Sequence, residues 1–482
     1  MNVIAKIEAL EAPLCVDLDG TLIRTDMLHE SLFALIRKNP LMVFMIPIWL
    51  MRGIAFMKAE IASRVEIDVS TLPYNTELVA WLAAERRDGR SIYLATASNK
   101  KFAEQIADHL GLFDGVFASN QTTNLKSRTK CNSLQEAFGD GAFDYAGNAQ
   151  DDIAVWKHAR EAILVAPDGP ANAWASYNTG KVRRFEGVHA TAKDWLKAIR
   201  IHQWLKNSLL FVPIVLDQRL FDLQALGAVI VGFLAFGLCA SSVYLLNDLL
   251  DLETDRRHPT KQNRPMAAGR ISIQKAAIAS GTLWIAAFSI AISLSWWFAA
   301  VLATYYVATF AYSLSLKRML LIDVLTLAGL FTVRLFAGGA AAGLELSTWL
   351  LAFSMFFFLS LALVKRFVEL SHQDENAGRA ETGRGYRTVD YETLAQSGLA
   401  SGFAAVMVLA LYIDSDQVKE MFRHPELMWL VCPLVLYIII RIWILARRNE
   451  MNDDPVVFLL TDWRSQIMVA AGAIVMIGGA LL

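Results

Sequence analysis

Asn247-Asp248-Leu249-Leu250-Asp251-Leu252-Glu253-Thr254-Asp255-Arg256-Arg257-His258-Pro259-Thr260-Lys261-Gln262-Asn263-Arg264-Pro265 closes a long apolar run and opens onto a basic turn. Asp248, Asp251 and Asp255 fall at i, i+3 and i+7, the spacing of one helical stripe. Three carboxylates on one face repel each other unless cations neutralise them. Hard oxygen ligands of this kind suit Mg²⁺, which keeps waters and bridges to substrate phosphates. Lys261 and Arg264 follow at once and supply cations for further phosphate oxygens. A solvated, salt-bridged helix end is the bland alternative. The position at the mouth of an apolar segment argues for a phosphate and metal site instead.

Outward from this stretch the chain is membrane-like. Of its 482 residues 55% are hydrophobic, and the excess lies beyond about residue 203. A span needs ~20 mainly apolar residues. Nine segments qualify, about 203–221, 225–246, 274–295, 297–315, 319–342, 347–364, 394–413, 427–446 and 465–482. Pro213 interrupts the first, and Asp217 and Arg219 sit near its end. One set of connecting loops carries fifteen lysines and arginines, Arg379 and Arg384 among them; the alternate set carries Arg219, Lys419 and Arg423. That asymmetry predicts an inner-membrane, multi-pass protein whose basic loops, with residues 1–200, lie in the cytoplasm. Asp323 and Arg334 fall inside a span, where charges are costly, so both are expected to face the bundle interior, for function or paired with one another or with neighbouring charges. Lys365 and Glu369, at i and i+4, read either as phosphate and substrate contacts or as helix support.

The first 200 residues read differently. Cys15-Val16-Asp17-Leu18-Asp19-Gly20-Thr21-Leu22 follows a short apolar run, and a strand carrying two acids two residues apart points both to one side. Ile92-Tyr93-Leu94-Ala95-Thr96 is an apolar run ending in a hydroxyl. Lys130 lies in Ser127-Arg128-Thr129-Lys130-Cys131, and Gly147-Asn148 precedes Asp151-Asp152. Alternating strand and helix patterns predict a doubly wound α/β domain. Residues 41–57, inside an apolar cap near 26–66, are expected to lie at a membrane interface, with a buried cap core as the alternative. A net charge of −1 supplies no broad basic field for nucleic acid. Cys15, Cys131, Cys239 and Cys432 form no CxxC pair or disulfide framework. No cleaved signal peptide is read at the N-terminus.

These motifs carry two resemblances. DLDGTL with the later Thr96, Lys130 and Asn148–Asp152 segments resembles the haloacid dehalogenase superfamily. The likeness implies Asp17 as phosphoryl nucleophile, Asp19 as general acid and base, Thr96 and Lys130 as phosphate contacts, and Asp17, Asn148 and Asp152 as Mg²⁺ ligands. Asn148 departs from the superfamily's usual aspartate, so an active phosphatase and a docking module both stay open. NDxxDxxxD followed by HPTKxxRP, with His202-Gln203-Trp204-Leu205-Lys206-Asn207 before it, resembles the UbiA superfamily, nearest its decaprenyl-phosphate phosphoribosyltransferase branch. That likeness implies a nine-helix transmembrane bundle over 189–482, with the phosphatase-like domain over 1–188. It implies Mg²⁺ on Asp248, Asp251 and Asp255. Substrate contacts are implied at Lys206, Asn247, Lys261, Arg264, Tyr312, Lys317, Asp323, Arg334, Lys365, Arg366 and Glu369. The substrates implied are phosphoribosyl pyrophosphate and a polyprenyl phosphate in the bilayer. The alternative is prenyl transfer to an aromatic or quinone precursor, with the soluble domain a docking module. A transporter fits less well, because the acids cluster at one membrane face rather than at the midplane.

Overall fold

The structure is a computed structural model and describes residues 12–178, 182–188, 190–371, 385–451 and 454–481. Arg379 and Arg384 of the charge count lie outside these residues. The chain divides into two compact units, residues 1–199 with 244–280, and residues 200–243 with 281–482.

The first unit is built on six parallel strands: β1 Leu14–Val16, β2 Ile92–Asn99, β3 Gly115–Ser119, β4 Asp144–Gly147, β5 Ala162–Val165 and β6 Val182–Phe185, in the order β3-β2-β1-β4-β5-β6. This is the expected doubly wound architecture. Leu14, Cys15 and Val16 are fully buried, as a central strand covered on both faces must be. The strand order reverses between β1 and β4. Ligands of open α/β sheets bind in the crevice at the carboxyl ends of strands flanking such a point. Val16 is in register with Ala146, and the Asp17 amide donates to the Ala146 carbonyl at 2.8 Å, so Asp17 and Asn148 emerge side by side.

Between β1 and β2 the cap comprises helix Met27–Lys38, a tight turn Pro40–Met45, and helices Ile46–Met51 and Ile54–Arg64. Asp26 caps the first of these through the His29 amide. Trp49 and Met57 are buried, but Leu41, Phe44 and Met51 are 71%, 72% and 87% exposed. Only part of the apolar 41–57 stretch is therefore cap core; the rest is an open apolar edge.

Eight helices among the described residues are long and apolar enough to cross a membrane, beginning with Leu223–Leu250 and ending with Trp463–Ala480. They correspond to the second through ninth expected spans. The expected first span is corrected: Ile201–Phe211 is a 3₁₀ helix and Val212–Leu216 a short α-helix. Pro213 sits at the start of the second piece, and Gln218, in the left-handed region at φ 57°, ends it. At ~2.0 Å per 3₁₀ residue and ~1.5 Å per α residue these pieces still reach about 30 Å.

Candidate functional site

The crevice at the end of β1 is a cavity of about 590 Å³. Lys130, near the start of helix Arg128–Phe138, is buried and donates to Asp17 Oδ1 at 2.7 Å and to the Tyr145 hydroxyl at 2.7 Å. The Tyr145 hydroxyl donates in turn to Asp152 Oδ1 at 2.7 Å, while Asp152 Oδ2 accepts from the Asn148 and Ala149 amides at 2.9 and 3.1 Å. Asp19 Oδ1 accepts from the Met27 amide at 2.8 Å and Oδ2 from the Ser98 hydroxyl at 2.6 Å. Burial pushes the Asp17 carboxyl up to about 7, with Lys130 opposing the rise. Burial, together with the charge of Asp26, pushes Asp19 up to about 6. Asp19 is thus poised to carry a proton near neutrality, and Lys130 favours the ionised form of Asp17.

Two sequence expectations are corrected here. Thr96 is fully buried and its hydroxyl accepts from the Ser98 amide at 3.0 Å. Strand β2 runs on to Asn99, so Ser98 rather than Thr96 stands at the cavity wall. Asp152 is a buried anchor rather than a direct metal ligand, because both its oxygens are taken by Tyr145 and two backbone amides. Asp151 turns to Lys126 at 2.9 Å and is half exposed. The oxygens left for a cation are Asp17 Oδ2 and the Asn148 amide oxygen, which among the described residues accept no hydrogen bond. One carboxylate and one neutral oxygen with waters suit Mg²⁺. Gly20, at φ 75°, fits this crowding: a Cβ there would lie 2.2 Å from Asn148 Nδ2.

The acidic segment belongs to the same compact unit. Helix Leu223–Leu250 ends just before Asp251, and a second helix, Leu252–Arg257, follows. The single stripe is therefore broken. Arg264 Nη1 bonds Asp248 Oδ1 at 3.0 Å and Asp255 Oδ2 at 2.6 Å, while Asp251 faces Arg37 at 3.9 Å. Asp248 and Asp255 thus converge on one positive charge, as they would on a metal. Burial raises the Asp255 carboxyl against the pull of Arg264. Asn247 Oδ1 is buried without a hydrogen-bond partner. The segment is fastened to the cap: Arg256 Nη2 bonds Glu30 Oε1 at 2.6 Å, both side chains being 6% exposed. Lys261 is half-buried and opens an otherwise exposed turn, Lys261–Asn263.

In the second unit the expected cations separate into two kinds. Arg366 is bound to Asp323, Glu369 and Tyr312: its Nη2 donates to the Tyr312 hydroxyl at 2.8 Å and to Asp323 Oδ1 at 3.0 Å. The Tyr312 hydroxyl donates to Asp323 Oδ1 at 2.8 Å. Asp323 and Arg334 both face the interior as expected, and of the two pairings left open Asp323 takes the neighbouring charge, Arg366, rather than Arg334. Glu369 likewise pairs with Arg366 and not with Lys365. Arg334 is 5% exposed and has no carboxylate partner among the described residues. Its Nε donates to Asn207 Oδ1 at 3.1 Å, and its guanidinium lies 5.1 to 5.4 Å from the rings of Tyr305, Phe236 and Phe331. Asn207 Nδ2 is buried with no acceptor among the described residues. Lys206 is bonded to Asp454, which also lies 4.0 Å from Lys365, so two lysines share one acid. Lys317 is half-buried in the turn Leu316–Arg318.

Tyr145, Ser98, Asn207 and Asp454 contact the expected site residues although the sequence reading did not point to them. A lone tyrosine in an apolar strand was a signal for the first, and Asn207 stands in a motif already quoted.

Comparison with known proteins places this geometry in a family. Residues 215–463, more than half of the chain, match the UbiA prenyltransferase family. An uncharacterized protein, y4nM, of Sinorhizobium fredii is 41% identical over 473 residues, covering 96% of this chain and 90% of that protein. Decaprenyl-phosphate phosphoribosyltransferase of Mycolicibacterium smegmatis is 39% identical over 185 residues, 36% of this chain and 56% of that enzyme. A solved HAD family hydrolase from Salmonella enterica serovar Typhi is 13% identical, covers 37% of this chain and 69% of that chain, and has a TM-score of 0.28. The acidic segment, its basic turn and the helices from Ile273 to Arg447 lie inside the matched region, and this chain belongs to the UbiA prenyltransferase family.

Proposed function

We propose that this protein makes a polyprenyl-phosphoryl ribose in two steps, using the domains divided near residue 188. The observation that carries the reading is the buried Arg334 without an acid, beside an Asn207 amide without an acceptor. A buried charge of this kind is costly unless a ligand of opposite sign completes it. Phosphate-bearing substrates provide that charge, and the similarity to a decaprenyl-phosphate phosphoribosyltransferase supports phosphoribosyl pyrophosphate as donor. In the first step a lipid phosphate oxygen bonds to ribose C1 as the C1–O bond to pyrophosphate breaks. Asp248 and Asp255 would hold Mg²⁺, with Asp251 one turn away, and the metal would neutralise charge on the departing pyrophosphate. Arg334, Lys206 and Lys365 hold phosphate oxygens; Asn207 donates to one; Lys261, Arg264 and Lys317 supply further cations near the loops.

The donor's 5-phosphate survives transfer at C1, so the product is a phosphomonoester. In the second step Asp17 attacks that phosphorus and the bond to O5 breaks, with Asp19 giving its proton to O5. Water, losing a proton to Asp19, then releases phosphate from Asp17. Asp17 and Asn148 would hold Mg²⁺ here, and it supplies charge neutralisation at the phosphoryl group. Lys130 holds Asp17 and a phosphate oxygen. The loop charge asymmetry supports a cytoplasmic position for residues 1–200 in an inner-membrane protein, and the length of the broken segment 201–216 supports a further crossing there. The exposed Leu41, Phe44 and Met51 support contact of the cap with the bilayer.

Purified full chain offered Mg²⁺, labelled phosphoribosyl pyrophosphate and polyprenyl phosphate is expected to form a labelled glycolipid, and Asp248→Ala protein none. Product only from a prenyl diphosphate and an aromatic acceptor would replace this reading with prenyl transfer.

A further inference from the structure

Resting on the phosphatase reading above, we propose that the hydrolytic cavity has a second anion subsite. It centres on Arg24 and is completed by Ser272 and Gln274. It takes the phosphodiester that joins the sugar to its lipid, so the substrate class is a phosphosugar bearing a second phosphate.

The cavity's other cations are mostly spoken for. Lys130 is paired with Asp17, and Lys126 with Asp151. His29 lies 3.1 Å from Asp26. Lys58 donates to the Ala97 carbonyl at 2.7 Å and to Asn124 Oδ1 at 3.2 Å, which fixes its ammonium on the wall. Arg24 lines the same cavity, is partly buried, and has no ion-pair or side-chain hydrogen-bond partner among the described residues. A guanidinium set in a pocket without an acid is matched to a planar fork of phosphate oxygens.

Ser272, Ile273 and Gln274, at the entry to helix Ile273–Leu294, form part of the wall. Ser272 caps that helix: its carbonyl accepts from the Ala276 amide at 3.0 Å and its hydroxyl from the Lys275 amide at 3.3 Å. The positive end of a 22-residue helix therefore adds to the field at this side of the cavity. The segment before it is fixed against Arg24. Gly269 takes φ 69°, and a Cβ there would lie 2.8 Å from Arg24 Cβ. Arg24 is held from the other side by its amide, which donates to the Pro73 carbonyl at 2.9 Å.

Residues at the start of a membrane-crossing helix thus wall a hydrolytic cavity in which Arg24 is the cation left without a side-chain partner among the described residues. A free monophosphate reaches Lys130 but leaves Arg24 unmatched. A lipid-linked phosphoribose presents its 5-phosphate to Asp17 and its diester to Arg24, and its lipid leaves along the wall formed by Ser272 and Gln274.

The test compares kcat/KM of the full chain for farnesyl-phosphoryl 5-phosphoribose with that for ribose 5-phosphate, in wild type, Arg24→Ala, Arg24→Lys and Ser272→Ala. Wild type is expected to prefer the two-phosphate substrate at least 10-fold. Arg24→Ala should lose most of that preference through KM, Arg24→Lys should recover part of it, and Ser272→Ala should reduce it. A wild type that cleaves both equally, or an Arg24→Ala protein that keeps the ratio, overturns the subsite alone. Should Arg24→Ala fail to fold, an unchanged ratio in both Arg24→Lys and Ser272→Ala overturns it. A wild type that cleaves neither phosphate overturns the phosphatase reading and the subsite together.

Discussion

The α/β crevice and the membrane bundle solve opposite charge problems. In the crevice, carboxylates outnumber the cations that face them: Asp17 shares Lys130 with Asp152, and Asp19 is met only by Met27 and Ser98 donors. In the bundle the excess is positive. Arg334 has no acid partner among the described residues, and Lys206 and Lys365 share Asp454. Buried sites left out of balance anticipate what they bind, and these two anticipate a cation and an anion respectively. The Asp323–Arg366 pair is the internal control, a buried acid and a buried cation that balance each other.

That contrast is broken most sharply by removing one cation of each kind. Arg366→Leu leaves Asp323 buried without its partner, and losing one side of a buried pair costs ~3–5 kcal/mol. Full-chain Arg366→Leu should therefore show a clearly lower thermal midpoint in detergent; an unchanged midpoint would mean the network contributes nothing. Arg334→Leu removes a buried charge that has no acid. Its midpoint should hold or rise while transfer falls ~10²–10³-fold, the usual loss when one charge-stabilising donor is removed. A destabilised but active Arg334→Leu protein would reverse the distinction.

Protons report the crevice more gently. The Asp17 and Asp19 carboxyls sit at about 7 and about 6 in the fold, against ~4 in an unfolded chain. Between pH ~4 and 7 the folded, metal-free crevice thus holds protons the unfolded chain has released. Its stability falls as pH rises through that window. Mg²⁺ takes ionised carboxylates, so its uptake at pH 6 should release protons and its uptake at pH 8 almost none. Calorimetry in buffers of different ionisation enthalpy checks this, and buffer-independent heats at pH 6 would contradict it.

Much of this was legible because the chemistry is local in sequence. DLDGTL put Asp17 and Asp19 at the end of a buried strand, and Lys130 fell where a phosphate-binding lysine was expected. The misses were non-local. Nothing in the sequence says that Asp323 chooses Arg366, 43 residues away, over Arg334 eleven residues along its own helix. Ser98 was not legible because the apolar run stops at Thr96, before the strand does. The first span had the composition of a helix, but Pro213 and the turn at Gln218 broke its geometry. The fastening of Arg256 to Glu30 was invisible for the same reason as the Asp323 pair, a separation of 226 residues.

The central claim is that the two halves act in series on one lipid, and Asp17→Asn protein tests it most directly. Wild type and variant receive phosphoribosyl pyrophosphate, polyprenyl phosphate and Mg²⁺, and the lipid product is weighed by mass spectrometry. The account predicts a dephosphorylated ribose lipid from wild type and, from Asp17→Asn, the same lipid heavier by one phosphate. Identical phosphorylated products from both proteins would contradict it.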